Sequence, residues 1–202
     1  NSGSDSSSPE DLIAIGNTLY FSADDGTNGR ELWKSDGTEA GTVMVKDINS
    51  GSGSSIGESS GVGLTKALDN TLYFSASDGT NGIELWKSDG TASGTVMVKD
   101  INSGSDNSHP QYLTVFDNEL YFSASDGLGG SGGGNGHELW KSDGTANGTV
   151  MVKDIHVGNH ASPRQLTVVG NTLFFTAHVD GNGRELWKSN GTESGTMMVK
   201  DI

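Results

Sequence analysis

The string ELWKSDGT begins at Glu31, recurs at Glu84 and Glu138, and returns at Glu185 as ELWKSNGT. The four tryptophans of the chain, Trp33, Trp86, Trp140 and Trp187, all occupy this string, at spacings of 53, 54 and 47 residues. Around each lies a longer shared pattern: Asn-x-Leu-Tyr/Phe-Phe, a Gly-rich loop, the tryptophan string, then Gly-Thr-Val/Met-Met-Val-Lys-Asp-Ile. A repeat of about 50 residues cannot bury its apolar face alone, so its copies must stack and share their cores.

Composition sharpens the point. With 32% apolar residues and 31 glycines in 202, the chain approaches disordered, low-complexity sequences. Order that recurs four times argues against disorder. In the third copy the apolar stretches fall at residues 112–116, 119–123, 138–141 and 149–155, separated by Asp117-Asn118, a glycine loop and Asp143-Gly144. They are rich in Val, Thr, Tyr, Phe and Trp and too short for helices, so they read as strands joined by hairpins. Leu-Tyr-Phe and Val-Met-Val are apolar at consecutive positions, which predicts burial on both faces.

Four-stranded antiparallel units packed round an axis give an all-β fold, a β-propeller of four antiparallel four-stranded blades. The blades run approximately over 9–48, 62–101, 110–155 and 163–202 of a single repeat domain, 1–202. Four whole units in register predict a closed four-bladed ring. A segment of a larger propeller or a tandem β array are the alternatives.

ELWKSDGT followed by GTVMVKDI resembles the ELWxxDGT repeat, which occurs in tandem in large bacterial proteins, many secreted or on the cell surface. The resemblance covers nearly the whole chain, with Asn190 departing from the expected Asp. It implies a bacterial array, secreted or at the cell surface, and a propeller-like fold, and it names no ligand.

The net charge of −14 predicts repulsion from phosphate backbones and anionic headgroups, hence no nucleic-acid partner. No apolar run reaches the roughly 20 residues of a spanning helix, so no membrane insertion is expected. The absence of cysteine removes disulfides, thiolate metal sites and thiol nucleophiles. No H-E-x-x-H or G-K-[ST] motif appears, and the G-x-S-x-G matches at 53–57, 57–61 and 129–133, like the G-x-G-x-x-G match at 127–132, fall in Gly/Ser-rich stretches with no helical pattern after them. The chain therefore reads as not an enzyme. A glycoside-processing pair of acids is a minor alternative, but the repeated acids nominate no unique pair.

Variation between copies concentrates in the loops between second and third strands and in the segments linking blades. Both belong to one face, and a loop-bearing face is where ligands meet a rigid scaffold. The slot after each Asn-Gly pair holds Arg30, Ile83, His137 and Arg184. These, with Asn28, Asn81, Asn135, Asn182 and His178, are the candidate ligand-binding residues. All five histidines, at 109, 137, 156, 160 and 178, fall on or beside this face. His156 and His160 lie in a loop pattern, where their i, i+4 spacing does not pair them on zinc.

Calcium is the one cofactor with a motif. The loop 24–31 partly matches D-x-[DN]-x-[DN]-G, which makes Asp24, Asn28, Asp78, Asn81, Asp126 and Asp180 candidate ligands. Asn-Gly hairpin turns explain the same residues without a metal. The tryptophans read as core rather than sugar-stacking platforms, and the repeated Glu and Asp as structural. The expected function is a non-catalytic structural, adhesive or interaction module, secreted or on a bacterial cell surface. A multivalent, lectin-like carbohydrate-binding propeller is the alternative. Its partners would be a glycan or surface protein, with self-association through the chain ends.

Overall fold

The computed structural model describes residues 5–57, 64–127, 136–179 and 181–202. Each repeat unit forms one four-stranded antiparallel sheet in chain order. The first contains β1 (Glu10–Ile15), β2 (Thr18–Asp24), β3 (Arg30–Ser35) and β4 (Val43–Lys46). The second contains β5 (Leu64–Leu68), β6 (Thr71–Ser77), β7 (Ile83–Ser88) and β8 (Val96–Lys99). The third contains β9 (Gln111–Phe116), β10 (Glu119–Ser125), β11 (His137–Ser142) and β12 (Val150–Lys153). The fourth contains β13 (Arg164–Val169), β14 (Thr172–Val179), β15 (Gly183–Ser189) and β16 (Met197–Lys200).

Turn chemistry sets the registers. Asp69-Asn70 and Asp117-Asn118 both have positive φ at each residue (49° and 61°, 50° and 59°), the condition for a tight type I′ hairpin. In the first and last blades Gly16 and Gly170 supply a single positive φ, of 58° and 57°.

The first strands β1, β5, β9 and β13 pack successively against one another and form the inner wall, leaving β4, β8, β12 and β16 outermost. On the second strands the sequence expectation holds: Leu72, Tyr73, Phe74, Leu120, Tyr121 and Phe122 are all buried. On the outermost strands it fails. Val43, Val96, Val150 and Met197 are exposed in every blade, and only the third residue of Val-Met-Val is buried in the first three. Blades diverge with radius, so the first valine finds no neighbouring blade to cover it.

Three cores join the blades, each built the same way. The preceding blade gives a Tyr, a Leu, a Val and an Ile; the following one gives Leu, Phe, Ala and Trp. Between the first two these are Tyr20, Leu32, Val45 and Ile48 against Leu72, Phe74, Ala76 and Trp86. Tyr73, Leu85, Val98 and Ile101 meet Leu120, Phe122, Ala124 and Trp140 at the next joint, and Tyr121, Leu139, Val152 and Ile155 meet Leu173, Phe175, Ala177 and Trp187 at the last. Full burial of such a side chain contributes about 1.5–3 kcal/mol, so a few positions used three times suffice for a glycine-rich chain. Lysines staple the same joints: Lys46, Lys99 and Lys153 donate to the carbonyls of Thr95, Thr149 and Thr196, each at 2.8 Å.

Among the described residues no core joins the first blade to the fourth. The four blades form an open arc, not the closed ring expected from the whole number of units. Closure depends on the rotation between neighbours, which packing sets and a repeated string does not display. The arc is a segment of propeller-type architecture. Among the described residues no helix is long and apolar enough to cross a membrane.

Candidate functional site

One end of the arc carries the loops between second and third strands and the segments leading from each blade to the next. A buried glutamate organises it. Glu31 accepts hydrogen bonds from the backbone N–H of Ile48 at 3.0 Å and of Ser55 at 3.2 Å, and from the Ser55 hydroxyl at 2.5 Å. Glu84 repeats the set with Ile101 (2.9 Å), the Ser108 amide (3.1 Å) and the Ser108 hydroxyl (2.6 Å). Glu138 takes the amides of Ile155 at 2.8 Å and Ala161 at 3.1 Å, with Ala161 standing where the other blades have serine. Burial outweighs these bonds and pushes the Glu84 and Glu138 carboxyls up to about 7, and raises Glu31 as well.

Each glutamate thus belongs to one blade and is satisfied by the segment leading into the next. That segment is tied on both sides: the Ser108 amide donates to the Ile83 carbonyl at 3.0 Å, while the Ser108 carbonyl accepts from Ser125 at 2.9 Å. Sequence reasoning missed Ser55 and Ser108. Their signal was the recurrence of a small residue seven positions after Lys-Asp-Ile.

The lead-in segments of the first, third and fourth blades are strained. Ser8, His109 and Ser162 each precede a proline with φ of 40°, 46° and 44°, and Asp11, Tyr112 and Gln165 follow with φ near the left-handed value. Non-glycine residues hold this conformation only where surroundings impose it. The slot residues help to do so. Arg30, all but buried, donates from Nη1 to the Ser8 carbonyl at 2.8 Å and the Ser22 hydroxyl at 3.1 Å, with Glu10 at 3.8 Å. Its guanidinium therefore braces the first blade and does not face outward for a ligand. Arg184 makes the matching bond to Ser162 at 2.9 Å but is exposed. Ile83 is half-buried, its amide donating to Asn107 Oδ1 at 2.7 Å.

The third and fourth blades bring the histidines together. The His109 ring stacks on His137 with centroids 6.5 Å apart, and the His156 ring lies 5.6 Å from His178. Ser162 links the slot residues, its amide donating to the His137 carbonyl at 2.8 Å and its carbonyl accepting from Arg184. Burial, with His109, His160 and Arg164 adding repulsion, pushes His137 down to about 4; burial also lowers His109. Of the candidate residues, His137, Arg184 and His178 share this neighbourhood. Asn28 and Asn81 instead turn back on their own loops, and Asn182 donates to Asp201 at 2.8 Å. Asn135 lies outside the described residues.

The calcium loops are built as turns. Asp24 accepts from the Gly26 amide at 2.6 Å. Asp25, which the motif did not single out, takes the amides of Thr27 and Asn28 at 2.8 Å each and the Asn28 side chain at 2.8 Å. Asp78 does the same with Thr80 and Asn81. Asp126 lines a pocket of about 140 Å³ with Glu138, Asp154 and Asn159, while Asp180 lies outside the described residues. Among the described residues no group of three or more His, Asp or Glu side chains is disposed to hold a metal ion. Trp86, Trp140 and Trp187 are buried in the cores, and Lys46 and Lys99 lie over the rings of Trp86 and Trp140 at 5.8 and 5.9 Å. Trp33, in the first blade, is half-buried.

No family model and no curated protein matches the chain. Solved structures similar to it include a puromycin hydrolase, with TM-score 0.56 and 16% identity over 96% of this chain and 29% of that one. A prolyl endopeptidase structure has TM-score 0.50 and 10% identity over 91% of this chain and 24% of the other. An α-L-arabinofuranosidase from Clostridium thermocellum has TM-score 0.37 and 16% identity, covering 97% and 74%. The chain spans less than a third of the length of the first two. The likeness is one of propeller-type fold.

Proposed function

We propose that the chain is a non-catalytic interaction module of a secreted or cell-surface bacterial protein, and that it meets its partner on the loop-bearing face of the third and fourth blades. The observation that supports this is how ionisable groups are shared out. Glu31, Glu84 and Glu138 are committed to backbone amides of the linking segments, which gives these three buried acids a structural role. Arg30 is committed to Ser8 and Ser22. What faces outward is the pair of exposed arginines, Arg164 and Arg184, beside the half-buried rings of His109, His137 and His178, a basic spot on a chain of charge −14.

A basic spot on an acidic surface suits a partner bearing carboxylates, and an acidic surface glycan fits that description. The repeated-site lectin draws no support from the tryptophans, since three of the four are packed between blades. A glycan array probed with and without EDTA tests the proposal, with an Arg164→Ala/Arg184→Ala variant alongside. Saturable binding of acidic glycans, lost in the variant and indifferent to EDTA, is expected. A blank array under both conditions, or binding that the variant retains, overturns it.

A further inference from the structure

The first and fourth blades place an arginine in the same slot, and only the first supplies it with a carboxylate. Arg30 donates from Nη1 to the Ser8 carbonyl at 2.8 Å and the Ser22 hydroxyl at 3.1 Å, with Glu10 Oε2 at 3.8 Å. Arg184 Nη1 reaches the Ser162 carbonyl at 2.9 Å and the Thr176 hydroxyl at 3.4 Å. The two guanidiniums are held alike, yet the lead-in beside them has changed sign: Ser-Pro-Glu-Asp at 8–11 becomes Ser-Pro-Arg-Gln at 162–165. Arg164 thus stands where Glu10 answers the charge in the first blade. Among the described residues no carboxylate lies within ion-pair distance of Arg164 or Arg184, and the side-chain hydrogen bonds of Arg184 all leave from Nη1. Burial, and then repulsion by Arg164, lowers Arg184 from the ordinary guanidinium value.

The third blade adds an aromatic ring. In its lead-in, His-Pro-Gln-Tyr at 109–112, Tyr112 takes the place of Asp11 and Gln165. Its φ is 57°, it is 39% exposed, and its phenol lies close enough to act on the Arg184 charge. Arg164 acts in the same way on His137. These groups meet at the joint of the third and fourth blades, inside the chain. A phenol face beside two guanidiniums suits a ligand with an apolar C–H face and an anionic edge. On the reading of this face as one that meets acidic glycans, we infer that it contains a subsite for a single carboxylated sugar. The sugar carboxylate enters between Arg164 and Arg184, in the place that Glu10 takes beside Arg30, and the sugar ring lies against Tyr112.

Calorimetric titration of the 202-residue chain with sodium glucuronate tests this, with acetate and glucose as the two halves of the ligand. One glucuronate per chain is expected, bound about tenfold more tightly than acetate, with no uptake of glucose. Arg164→Glu puts the acid of the first blade back and should abolish binding, while Tyr112→Ala should reduce glucuronate to the level of acetate. Lys188→Gln removes one positive charge at the far end of β15 and should leave binding unchanged; unchanged far-ultraviolet spectra check the fold of each variant. Glucuronate that binds no better than acetate, binding that survives Arg164→Glu, or binding that falls equally in Lys188→Gln overturns the subsite. Array binding that depends on the two arginines while free glucuronate is ignored would sink the subsite alone. Free glucuronate bound as expected against a blank array would sink the glycan reading and uphold the subsite.

Discussion

The hydroxyl of Tyr73 in the second blade lies against Gly144 of the third, so close that a Cβ on that glycine would collide with it. Tyr20 meets Gly90 and Tyr121 meets Gly191 in the same way. Gly37 of the first blade has nothing within 4 Å, although its φ of 92° is close to the 87° of Gly144. Gly37→Ala should therefore cost only the left-handed backbone, about 1 kcal/mol. Gly144→Ala adds overpacking against Tyr73 and should cost about 1–3 kcal/mol more. Urea unfolding of the two variants compares them, and equal losses would mean that the tyrosine contact contributes nothing.

Lys99 joins the same two blades through the Thr149 carbonyl and the Trp140 ring. Lys99→Met keeps the apolar stem and removes the charge-assisted hydrogen bond, with an expected loss of about 1–3 kcal/mol. Lys188→Met, on the exposed face of the fourth blade, should change stability by less than about 0.5 kcal/mol. Denaturation midpoints of the pair measure the difference.

The buried glutamates make stability depend on pH in an unusual direction. Glu84 and Glu138 titrate at about 7 in the folded chain against an ordinary 4.5, so their contribution is complete below 4.5 and is lost as the pH rises through about 7. His137 runs oppositely. Held at about 4 against 6.5, its contribution is complete above 6.5 and lost as the pH falls toward 4. Glu84→Gln removes one glutamate from this balance. The melting temperature of the variant minus that of the wild type should rise between pH 5 and pH 8; a constant difference would show that Glu84 does not titrate in that window.

Calcium has little to gain at the turn loops, because the Asp25 and Asp78 carboxylates already accept two backbone amides and an asparagine side chain each. We expect the melting temperature to be the same in EDTA as in millimolar calcium. A calcium-dependent rise abolished by Asp78→Ala would reverse that expectation.

The strands, the hairpins and the location of the histidines were legible in the sequence because each rests on local chemistry: Asp-Asn turns, β-branched runs and loop composition. Burial of the first valine in Val-Met-Val was misread, since alternation reports which residues are apolar and not how far a blade stands from its neighbour. The open arc was hidden for a related reason, as Lys46 and Lys200 share the string Met-Val-Lys-Asp-Ile, yet of the two only Lys46 meets a neighbouring blade among the described residues. At the candidate site, Arg30 and Arg184 share a slot and a hydrogen-bonding pattern, yet one is buried and the other exposed. That difference comes from the packing around the first and fourth blades, which neither string contains.

Ownership of the glutamates has a consequence for how such an array could have grown. A carboxylate is supplied by one blade and quenched by the lead-in to the next, so a cut within a unit would orphan a buried acid on one side and, at the three lead-ins that carry a proline, a strained junction on the other. Recombination between copies can lengthen or shorten the array by whole units without either cost, because every crossover between equivalent positions regenerates the same pairing. The near-identity of the repeats is then what unequal exchange would preserve, with the buried acid acting as the proofreader of its frame.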